Sequence, residues 1–593
     1  MTTFRFLGTL FRDYRRDWVA YTSLILGTNL TIAWIVIPLL TWFTAQALAL
    51  GHIDYISYTN VTTLFAHPFV LIALLLLLLL TLALIYWQFS ILMRGIYQIQ
   101  SQHRLQVLEL IQQTFSQRPE LSLFSFCFFL GYFVLILPFA GLGLKTPLLA
   151  KVQIPDFIVS YLQANTWMAL GLTLFYLVTL YLGLRLLFVL PKLVIQRQPL
   201  RQAVAASWQQ TRWHTRHHFF QILALSIGVS VTAGAGYLIV IIAQTVIDAI
   251  NQPLALTAAI INLILIQLIS QFIVLMSIYG LMRILLLDVV IPDRAVFSLM
   301  HHRRFPKFLT VGALLVIALS VVGFNVIYLN GLTVTKPLTI SHRGVDSGNG
   351  VQNTIPALRK TSREHPDLVE MDLHETKDHQ FVVMHDENLK ALTGVNKAPY
   401  QLTLKQLTRL TAHENGYHAK VASFDAYLAA ANQLHQRLLV EIKTTKHDSP
   451  DMLSRFVNRY GATLRQHHDQ VHSLDYNVVT GLKKQDPKQF VSFILPYNFS
   501  FPKTDANAYT MEATTLTDSF VDEAQGQHQK VYAWTVNDDT TTQKMLFEGV
   551  NGIVTDHLKQ LQGTIADNVS HPNYATRLMD YIIDAPTTNL PLD

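Results

Sequence analysis

Two patterns of apolar residues divide the chain near Asn330. Before that residue, the apolar residues form seven runs, each of 20 or more residues with few charges. After it, they form short runs of four to six residues, separated by polar stretches of helical length. A membrane-spanning helix needs about 20 apolar residues, so the first pattern predicts membrane spans. The second pattern predicts strands that alternate with helices.

The apolar half is predicted to be an all-α membrane domain over residues 1–330 with about seven helices. The predicted spans are residues 18–50, 68–93, 121–144, 158–190, 219–247, 254–281 and 308–329. The first is too long for a cleaved signal peptide, so we expect it to remain as an anchor. Because the runs lack the alternation of barrel strands, helices are the structure that satisfies their backbone groups in lipid.

Lysine and arginine are shared unevenly between the connections of these spans. The amino-terminal tail and every second connection hold 18 of them, whereas the intervening connections hold only Lys145 and Lys151. Cytoplasmic connections carry the excess of positive charge, so we expect the amino terminus in the cytoplasm and, after seven crossings, the polar half outside the cell. Residues 198–211 combine helical apolar spacing with basic residues and are predicted to lie on the inner leaflet.

A few polar side chains interrupt the apolar spans. They are Gln244, Asn262, Gln267 and Gln271. Such residues usually form hydrogen bonds between membrane helices, and we expect that role here. A cavity for lipid or substrate is the alternative.

Composition supports the division. The chain is 51% apolar and only 14% charged, against about 25% charged in ordinary soluble domains. Residues 1–330 have a net charge of +11 and the remainder −5. With a single cysteine, Cys127, no intramolecular disulfide can form, so the polar half must be stable through its own core. An outside domain without cysteine is typical of a Gram-positive bacterium. We predict no nucleic-acid partner, and the oligomeric state stays open.

Eight short strands with intervening helices predict a barrel in the polar half. The predicted strands are residues 338–341, 368–373, 438–442, 471–474, 490–495, 508–511, 531–536 and 552–555. Several of the charged residues fall at the carboxyl ends of these strands, which is where such barrels carry their chemistry.

The first two strands end in a candidate metal site. His342 and Arg343 follow the first strand, and the second carries Glu370 and Asp372. Alternate side chains of a strand share a face, so the two carboxylates point the same way, about 7 Å apart. Two carboxylates on one face repel each other unless a cation lies between them.

Two further segments deliver residues of the same kinds. The strand-like residues 380–384 lead to His385 and Asp386, and period-two spacing places Glu441 and Lys443 on one face of a later strand. Paired acids for a metal, cations for an anionic group and two histidines for proton transfer are the set that displacement at phosphorus needs.

Residues 336–563 resemble the glycerophosphodiester phosphodiesterase family through six short motifs in family order. The motifs are His342-Arg343-Gly344, Glu370-x-Asp372, His385-Asp386, Glu441-x-Lys443, Trp534-Thr535-Val536-Asn537 and Gly552-Ile553-Val554-Thr555-Asp556. One position departs from the family, which usually has glutamate where this chain has Gln352, before Asn353 and Thr354. That substitution puts one possible extra carboxylate in doubt.

The resemblance implies a TIM-type (β/α)8 barrel over residues 338–565, after a linker at 331–337 and before an extension at 566–593. Residues 386–433 look like the family's small insertion, which shapes the substrate pocket. The implied reaction hydrolyses glycerophosphodiesters to glycerol 3-phosphate and an alcohol. In the family the nucleophile is thought to be the neighbouring glycerol hydroxyl, which gives a cyclic phosphate that water opens.

The resemblance and the chemistry of the side chains assign a role to each candidate residue. Glu370, Asp372 and Glu441 are the predicted metal ligands, and a set with only oxygen donors favours Ca²⁺ or Mg²⁺. The remaining candidates are the acid/base pair His342 and His385, the phosphate-binding Arg343 and Lys443, and the pocket residue Trp534. Lys443 could instead be a structural partner of Glu441, and Trp534 a core residue. Asp556 is expected to support the strand end rather than bind metal.

Three functions remain in competition on these residues. The first is a membrane-anchored, metal-dependent phosphodiesterase that acts on glycerophosphodiesters. The second is a phospholipase D that acts on lysophospholipids, and the third is a receptor that has lost catalysis, which the complete set of acids and histidines disfavours. The substrate could be a deacylated phospholipid, a lysolipid or a glycerophosphate polymer such as lipoteichoic acid. The partners predicted are therefore such a substrate and the lipid bilayer.

Overall fold

The computed structural model describes residues 3–56, 60–102, 105–116, 156–163, 165–213, 215–287, 307–331, 335–497, 501–569 and 573–584, with isolated residues between 128 and 148. It divides into two compact units. The first comprises Met1–Ile53, Thr63–Val326 and Ala585–Asp593, and the second comprises Asp54–Thr62 and Ile327–Asp584. The predicted boundaries at 330, 337 and 565 remain predictions.

The first unit is built from helices. They are Thr3–Arg16, Trp18–Thr31, Ile37–Leu50, Pro68–Gln102, Val107–Ser116, Asp156–Gln163, Thr166–Arg185, Val189–Val194, Leu200–Thr211, Thr215–Ile250 and Gln252–Leu286. A π-helical turn, Ile32–Val36, joins the second helix to the third, and Val61–Ala66 is a 3-10 turn. A further helix, Lys307–Leu329, leads into the second unit.

Among the described residues, five helical segments are long and apolar enough to cross a membrane. They are Trp18–Leu50, Pro68–Ser101, Thr166–Val194, Thr215–Ile250 and Gln252–Leu286. They match five of the seven predicted spans. Predicted span 121–144 lies outside the described residues, and predicted span 308–329 corresponds to the helix Lys307–Leu329. The count of seven crossings therefore remains a prediction.

The fourth predicted span starts later than the apolar run does. The side chain of Asn165 accepts hydrogen bonds from the backbone amides of Trp167 and Met168. This N-cap begins a new helix at Thr166, because it satisfies two amide groups that have no partner within the helix. The apolar run from residue 158 is consequently split between the helices Asp156–Gln163 and Thr166–Arg185.

A helical hairpin packs closely within this unit. A Cβ atom at Gly280 would lie 2.6 Å from Leu225 Cδ1, so glycine allows the helices Thr215–Ile250 and Gln252–Leu286 to approach each other. Small residues serve the same purpose at many membrane-helix interfaces. The predicted surface helix is present as Leu200–Thr211, and its position on a leaflet remains a prediction.

The second unit contains a nine-stranded sheet whose eight parallel strands close into a barrel. The strands are β1 Leu338–Ser341, β2 Leu368–Glu375, β3 Phe381–Val383, β6 Leu438–Ile442, β7 Gln470–Ser473, β8 Val491–Leu495, β9 Ala508–Glu512, β10 Lys530–Trp534 and β11 Gly552–Thr555, with a separate hairpin of β4 Thr411–Glu414 and β5 Tyr417–Lys420. Closure is complete because β1 pairs with both β11 and β2. All eight predicted barrel strands are confirmed.

Helices follow the strands around the barrel. Their bounds are Ile355–Thr361, Lys390–Thr393, Leu404–Leu407, Phe424–Gln433, Met452–Gln466, Tyr476–Gln485, Asp518–Gly526, Asp539–Phe547, Leu558–Val569 and Tyr574–Asp584. Within the predicted insertion, two short helices and the β4–β5 hairpin surround a small apolar cluster that includes Leu392, Leu407 and Ala412. The helix Phe424–Gln433 instead contributes Phe424 and Tyr427 to the main barrel core.

Apolar side chains fill one layer of the barrel interior. They are Ile340, Leu368, Leu439, Ala508, Tyr532 and Val554. Gly552 leaves room for this layer, because a Cβ atom there would lie 2.7 Å from the ring of Tyr532. The next inward positions along β2, β6 and β7 are polar, so the charged groups lie towards the carboxyl ends of the strands, where barrel enzymes carry their sites.

Candidate active site

Three buried ligand groups meet inside the barrel. Strand register pairs Asp372 of β2 with Glu441 of β6, and Glu441 with His472 of β7. The ligand atoms of Glu370, Glu441 and His472 all lie within 4.8 Å of one another. Glu370 is only 2% exposed. Two buried carboxylates beside a histidine fit a divalent cation, which would offset their repulsion and their loss of solvation.

Asp372, the third predicted ligand, has both carboxylate oxygens in other contacts. Its Oδ2 accepts a hydrogen bond from Asn353 Nδ2 at 2.7 Å, and its Oδ1 lies 3.2 Å from Lys443 Nζ. Although burial alone would raise its pKa, the nearby charges of Lys443, His385 and Arg343 hold the pKa of Asp372 far below its usual range. Asp372 is therefore ionised at this strand end, and its role as a ligand remains a prediction.

Lys443 balances the negative charge of the acids. Its Nζ donates to Glu441 Oε1 at 2.8 Å and lies 3.2 Å from Asp372 Oδ1. Burial lowers the pKa of Lys443, but the charges of Glu441 and Asp372 outweigh burial and raise it. The pairing with Glu441 that the sequence left open is thus present, and contact with a phosphate remains a prediction.

His342 is held by a carboxylate from the last strand of the barrel. Its Nδ1 donates to Asp556 Oδ1 at 2.8 Å, and Asn537 Nδ2 donates to Asp556 Oδ2 at the same distance. Burial and Arg343 lower the pKa of His342, yet the hydrogen bond and charge of Asp556 raise it overall. With Nδ1 engaged, Nε2 is the free nitrogen, and it lies 4.0 Å from Glu370 Oε2.

Arg343 occupies a left-handed turn beside the same acid. Its φ angle is 53°, and its backbone amide donates to Glu370 Oε2 at 2.8 Å. The following Gly344 also has a positive φ, and a Cβ there would lie 2.8 Å from the hydroxyl of Tyr427. Glycine meets both requirements, and the turn directs the Arg343 amide at a site carboxylate.

The insertion supplies a carboxylate near the position where the family usually has glutamate. Arg343 Nη1 donates to Gln352 Oε1 at 2.8 Å, and Gln352 Nε2 donates to Glu414 Oε1 at 2.6 Å. The backbone amide of Gln352 also donates to Glu414 Oε2 at 2.8 Å. Glu414, at the end of β4, therefore orients Gln352 and through it the Arg343 guanidinium.

Trp534 is the last residue of barrel strand β10, whereas His385 follows β3, the antiparallel strand outside the closed barrel. His385 Nδ1 donates to Asp386 Oδ1 at 2.9 Å, which lowers the pKa of Asp386. His374 Nε2 donates to the carbonyl oxygen of His385 at 3.1 Å. Trp534 Nε1 donates to the carbonyl oxygen of Thr510 at 3.0 Å, and the partly buried ring packs on the apolar layer of the barrel.

Three contributors to the site were missed from sequence: His472 at the metal group, Glu414 behind Gln352, and the hydrogen bond from Asn537 to Asp556. A signal for His472 existed, because it is an imidazole at an inward position of a strand whose neighbour Val471 is apolar. Glu414 carried no comparable signal, since its partner is 62 residues away in the chain.

The chain matches two known domains. Residues 7–324 match the membrane domain of glycerophosphoryl diester phosphodiesterase, and residues 342–560 match the glycerophosphoryl diester phosphodiesterase family. The first match covers more than half of the chain, so this protein belongs to the glycerophosphoryl diester phosphodiesterases that carry a membrane domain. It is a phosphodiester hydrolase, as the motifs predicted.

The chain is also similar to individual proteins. A glycerophosphodiester phosphodiesterase of Caldanaerobacter subterraneus is 24% identical over 232 residues, which are 37% of this chain and 94% of that protein. A human lysophospholipase D is 51% identical over 57 residues, 10% of this chain and 18% of that protein. A solved phosphodiesterase of Oleispira antarctica, in complex with sn-glycerol-3-phosphate, aligns at a TM-score of 0.36 and 20% identity, covering 39% of this chain and 97% of that one.

Proposed function

We propose that this protein is a membrane-anchored, metal-dependent phosphodiesterase that cleaves glycerophosphodiesters with a free hydroxyl beside the phosphoester carbon. The observation that carries the proposal is that the carboxylate of Glu370 lies between two histidines. Its Oε1 lies 3.8 Å from His472 Nε2, and its Oε2 lies 4.0 Å from His342 Nε2. A phosphate bound at the metal group would therefore lie beside an oriented acid/base histidine.

Each residue of the site would have its own role in the reaction. A bound divalent cation would neutralise phosphate charge, and the carboxylates alone favour Ca²⁺ or Mg²⁺. Arg343 and Lys443 would donate to phosphate oxygens. His342, held by Asp556, and His385 would form the acid/base pair, one removing the hydroxyl proton and the other protonating the leaving oxygen.

The substrate follows from the position of the hydroxyl. The alcohol only leaves, so choline, ethanolamine and glycerol esters should all be cleaved, with differences of about 1 to 3 kcal/mol from pocket contacts such as those with Trp534. Lysolipids and glycerophosphate polymers also offer a free hydroxyl, and the similarity to a lysophospholipase D supports a lysolipid as the second candidate. Diacyl phospholipids have no such hydroxyl and should resist.

A substrate comparison tests the function. Rates would be measured for glycerophosphocholine, lysophosphatidylcholine, a glycerophosphate polymer and diacyl phosphatidylcholine, before chelation, after chelation and after return of a divalent ion. We expect the diacyl lipid to react at least about 100-fold more slowly than the first two substrates, because it lacks the attacking group. Full activity after chelation would contradict metal dependence, and equal rates for diacyl and lysolipid would contradict attack by the hydroxyl.

We also propose that the amino terminus is cytoplasmic and that the barrel lies outside the cell, on the membrane of a Gram-positive bacterium. The distribution of positive charge supports this topology.

Proteolysis of intact cells tests the topology. A protease added outside should degrade the chain after Asn330 and spare the connection at residues 185–218. If the barrel were protected until the cells were lysed, the proposed orientation would be wrong.

A further inference from the structure

A buried histidine faces the acids of the site without a hydrogen bond of its own. His472 is 3% exposed, and within the described part of the chain neither ring nitrogen has a hydrogen-bond partner. Its Nε2 lies 3.8 Å from Glu370 Oε1, which is too long for a hydrogen bond. A buried polar group left unsatisfied costs about 1 to 3 kcal/mol, so the position calls for a ligand.

The neighbours of His472 in the barrel interior are already paired with one another. Ser492, opposite His472 in the register of β8, shares a hydrogen bond of 2.7 Å with Thr510. Gln470, two residues before His472 on the same strand, accepts from the Tyr532 hydroxyl at 2.9 Å. The imidazole is therefore left facing Glu370 and Glu441, and these are the two residues with which it forms the metal group.

We propose that His472 is a metal ligand, and that its nitrogen makes the site selective for a later divalent transition ion, such as Co²⁺ or Zn²⁺, over Ca²⁺. This inference rests on the proposed metal-dependent function and names the class of ion. The preference for Ca²⁺ or Mg²⁺ followed from oxygen donors alone. Imidazole favours the later first-row ions, whereas Ca²⁺ prefers six to eight oxygens.

The spacing of the donor atoms suits one shared ion. Donors bonded to an ion at about 2.1 Å lie no more than about 4.2 Å apart. The three donors lie within 4.8 Å of one another, so side-chain adjustments of several tenths of an ångström would bring them into contact with one ion.

Metal binding tests the proposal without using activity. Full-length protein in detergent micelles would be stripped with a chelator and titrated calorimetrically with Co²⁺ and, separately, with Ca²⁺. We expect His472→Gln to weaken Co²⁺ binding by at least about 10-fold, as loss of a ligand requires, and Ca²⁺ binding by less than about 3-fold. The matched control is His468→Gln, an exposed histidine four residues earlier, which should leave both affinities unchanged.

A second variant tests directly whether the side chain at position 472 contacts the metal ion. His472→Cys, made in a Cys127→Ser background so that it is the only thiol, should give a thiolate-to-Co²⁺ charge-transfer band in the near ultraviolet, because cysteine is a strong ligand for such ions. The same background without His472→Cys should lack the band. Absence of the band from a variant that still binds Co²⁺ would overturn the proposal.

The outcomes distinguish a failure of the His472 proposal from a failure of the proposed metal-dependent function. If the wild type bound neither ion, both metal dependence and the role of His472 would fail. If it bound both ions and His472→Gln left the ratio of Co²⁺ to Ca²⁺ affinity unchanged, only the role of His472 would fail. Glu441→Gln should weaken the binding of both Co²⁺ and Ca²⁺, because a carboxylate is a ligand for either ion.

Discussion

Buried polar groups of the first compact unit, here called the membrane unit, differ from those at the candidate site of the barrel. In the membrane unit, Asn262 Nδ2 donates to Gln244 Oε1 at 2.8 Å, and Gln267 Nε2 donates to Asn325 Oδ1 at 2.8 Å. These amides are neutral and paired across helices, which is the role expected from sequence. At the candidate site of the barrel, the acids Glu370, Asp372 and Glu441 are buried, and His472 has no hydrogen-bond partner among the described residues.

The difference separates polar groups that support structure from those that bind. A paired amide is satisfied within the fold, so nothing further has to bind. A buried carboxylate loses far more solvation than an amide and must be balanced by cations. Lys443 supplies part of that balance for Glu441 and Asp372, while Glu370 and His472 remain for a ligand. Burial of a polar group is thus weak evidence of function, and an unpaired group that faces other possible ligands, as His472 faces Glu370 and Glu441, is stronger evidence.

The largest effect should come from a carboxylate of the barrel. Glu370→Gln should lower kcat at least about 100-fold, because a principal stabiliser of the metal and phosphate is lost. Asn262→Ala removes a buried polar group of the membrane unit and should leave the rate per folded molecule within about 3-fold. Both would be measured at saturating substrate on full-length protein in micelles. Similar losses of kcat for the two variants would remove the distinction between the regions.

A smaller effect is expected from the support behind His342. Asp556→Asn keeps the shape but removes the charge, and kcat should fall about 10- to 100-fold because the acid/base group loses its orientation. KM should change by less than about 3-fold, since Asp556 touches no expected substrate atom. Asn537→Ala, which removes one hydrogen bond to Asp556, should give a milder loss. A change in KM with constant kcat would argue against a positioning role.

A buried acid away from the site should affect stability rather than rate. Asp469 precedes β7; its Oδ1 accepts from the Leu438 amide at 2.7 Å, and its Oδ2 has no hydrogen-bond partner among the described residues. Burial raises the pKa of Asp469 to about 7, against the lowering effects of that amide and of Arg437. The folded-state pKa lies above the unfolded value of about 3.9, so its stabilising contribution is complete below about pH 4 and is lost as pH rises through about 7.

Asp469→Asn stays neutral at every pH. Its free energy of unfolding should therefore rise relative to that of the wild type by about 1 to 3 kcal/mol between pH 5 and pH 8. Denaturant unfolding of full-length protein at both values measures this, and Asp505→Asn at an exposed position is the control. Parallel pH curves for Asp469→Asn and wild type would show that the carboxyl is charged and satisfied.

The smallest effect concerns an amide pair of the membrane unit. A double-mutant cycle of Gln267→Leu and Asn325→Leu should give a coupling energy of about 0.6 kcal/mol and at most about 1.7 kcal/mol. The measurement is unfolding of the purified protein in increasing fractions of a denaturing detergent. A coupling near zero would mean that the hydrogen bond contributes nothing, and a large loss of kcat in the folded double variant would connect this pair to catalysis.

The sequence by itself determined the local elements and most of the chemistry. Alternation along β2 put Glu370 and Asp372 on one face, and the structure has both inside the barrel. The eight strands could be predicted because each is a short apolar run between polar stretches. The membrane spans could be predicted for a similar reason, although residues 158–190 were predicted as one span and the new helix after Asn165 was missed. These features depend on neighbours within a few residues.

Tertiary structure alone decided which distant residues meet. Closure of the barrel pairs β1 with β11, which brings Asp556 to His342 across 214 residues of chain. The register of β6 against β7 sets His472 beside Glu441, and no local pattern specifies that register, because packing of the whole interior selects it. The physical reason is that a side chain's face is a local property of its strand, whereas its partners depend on how all eight strands close.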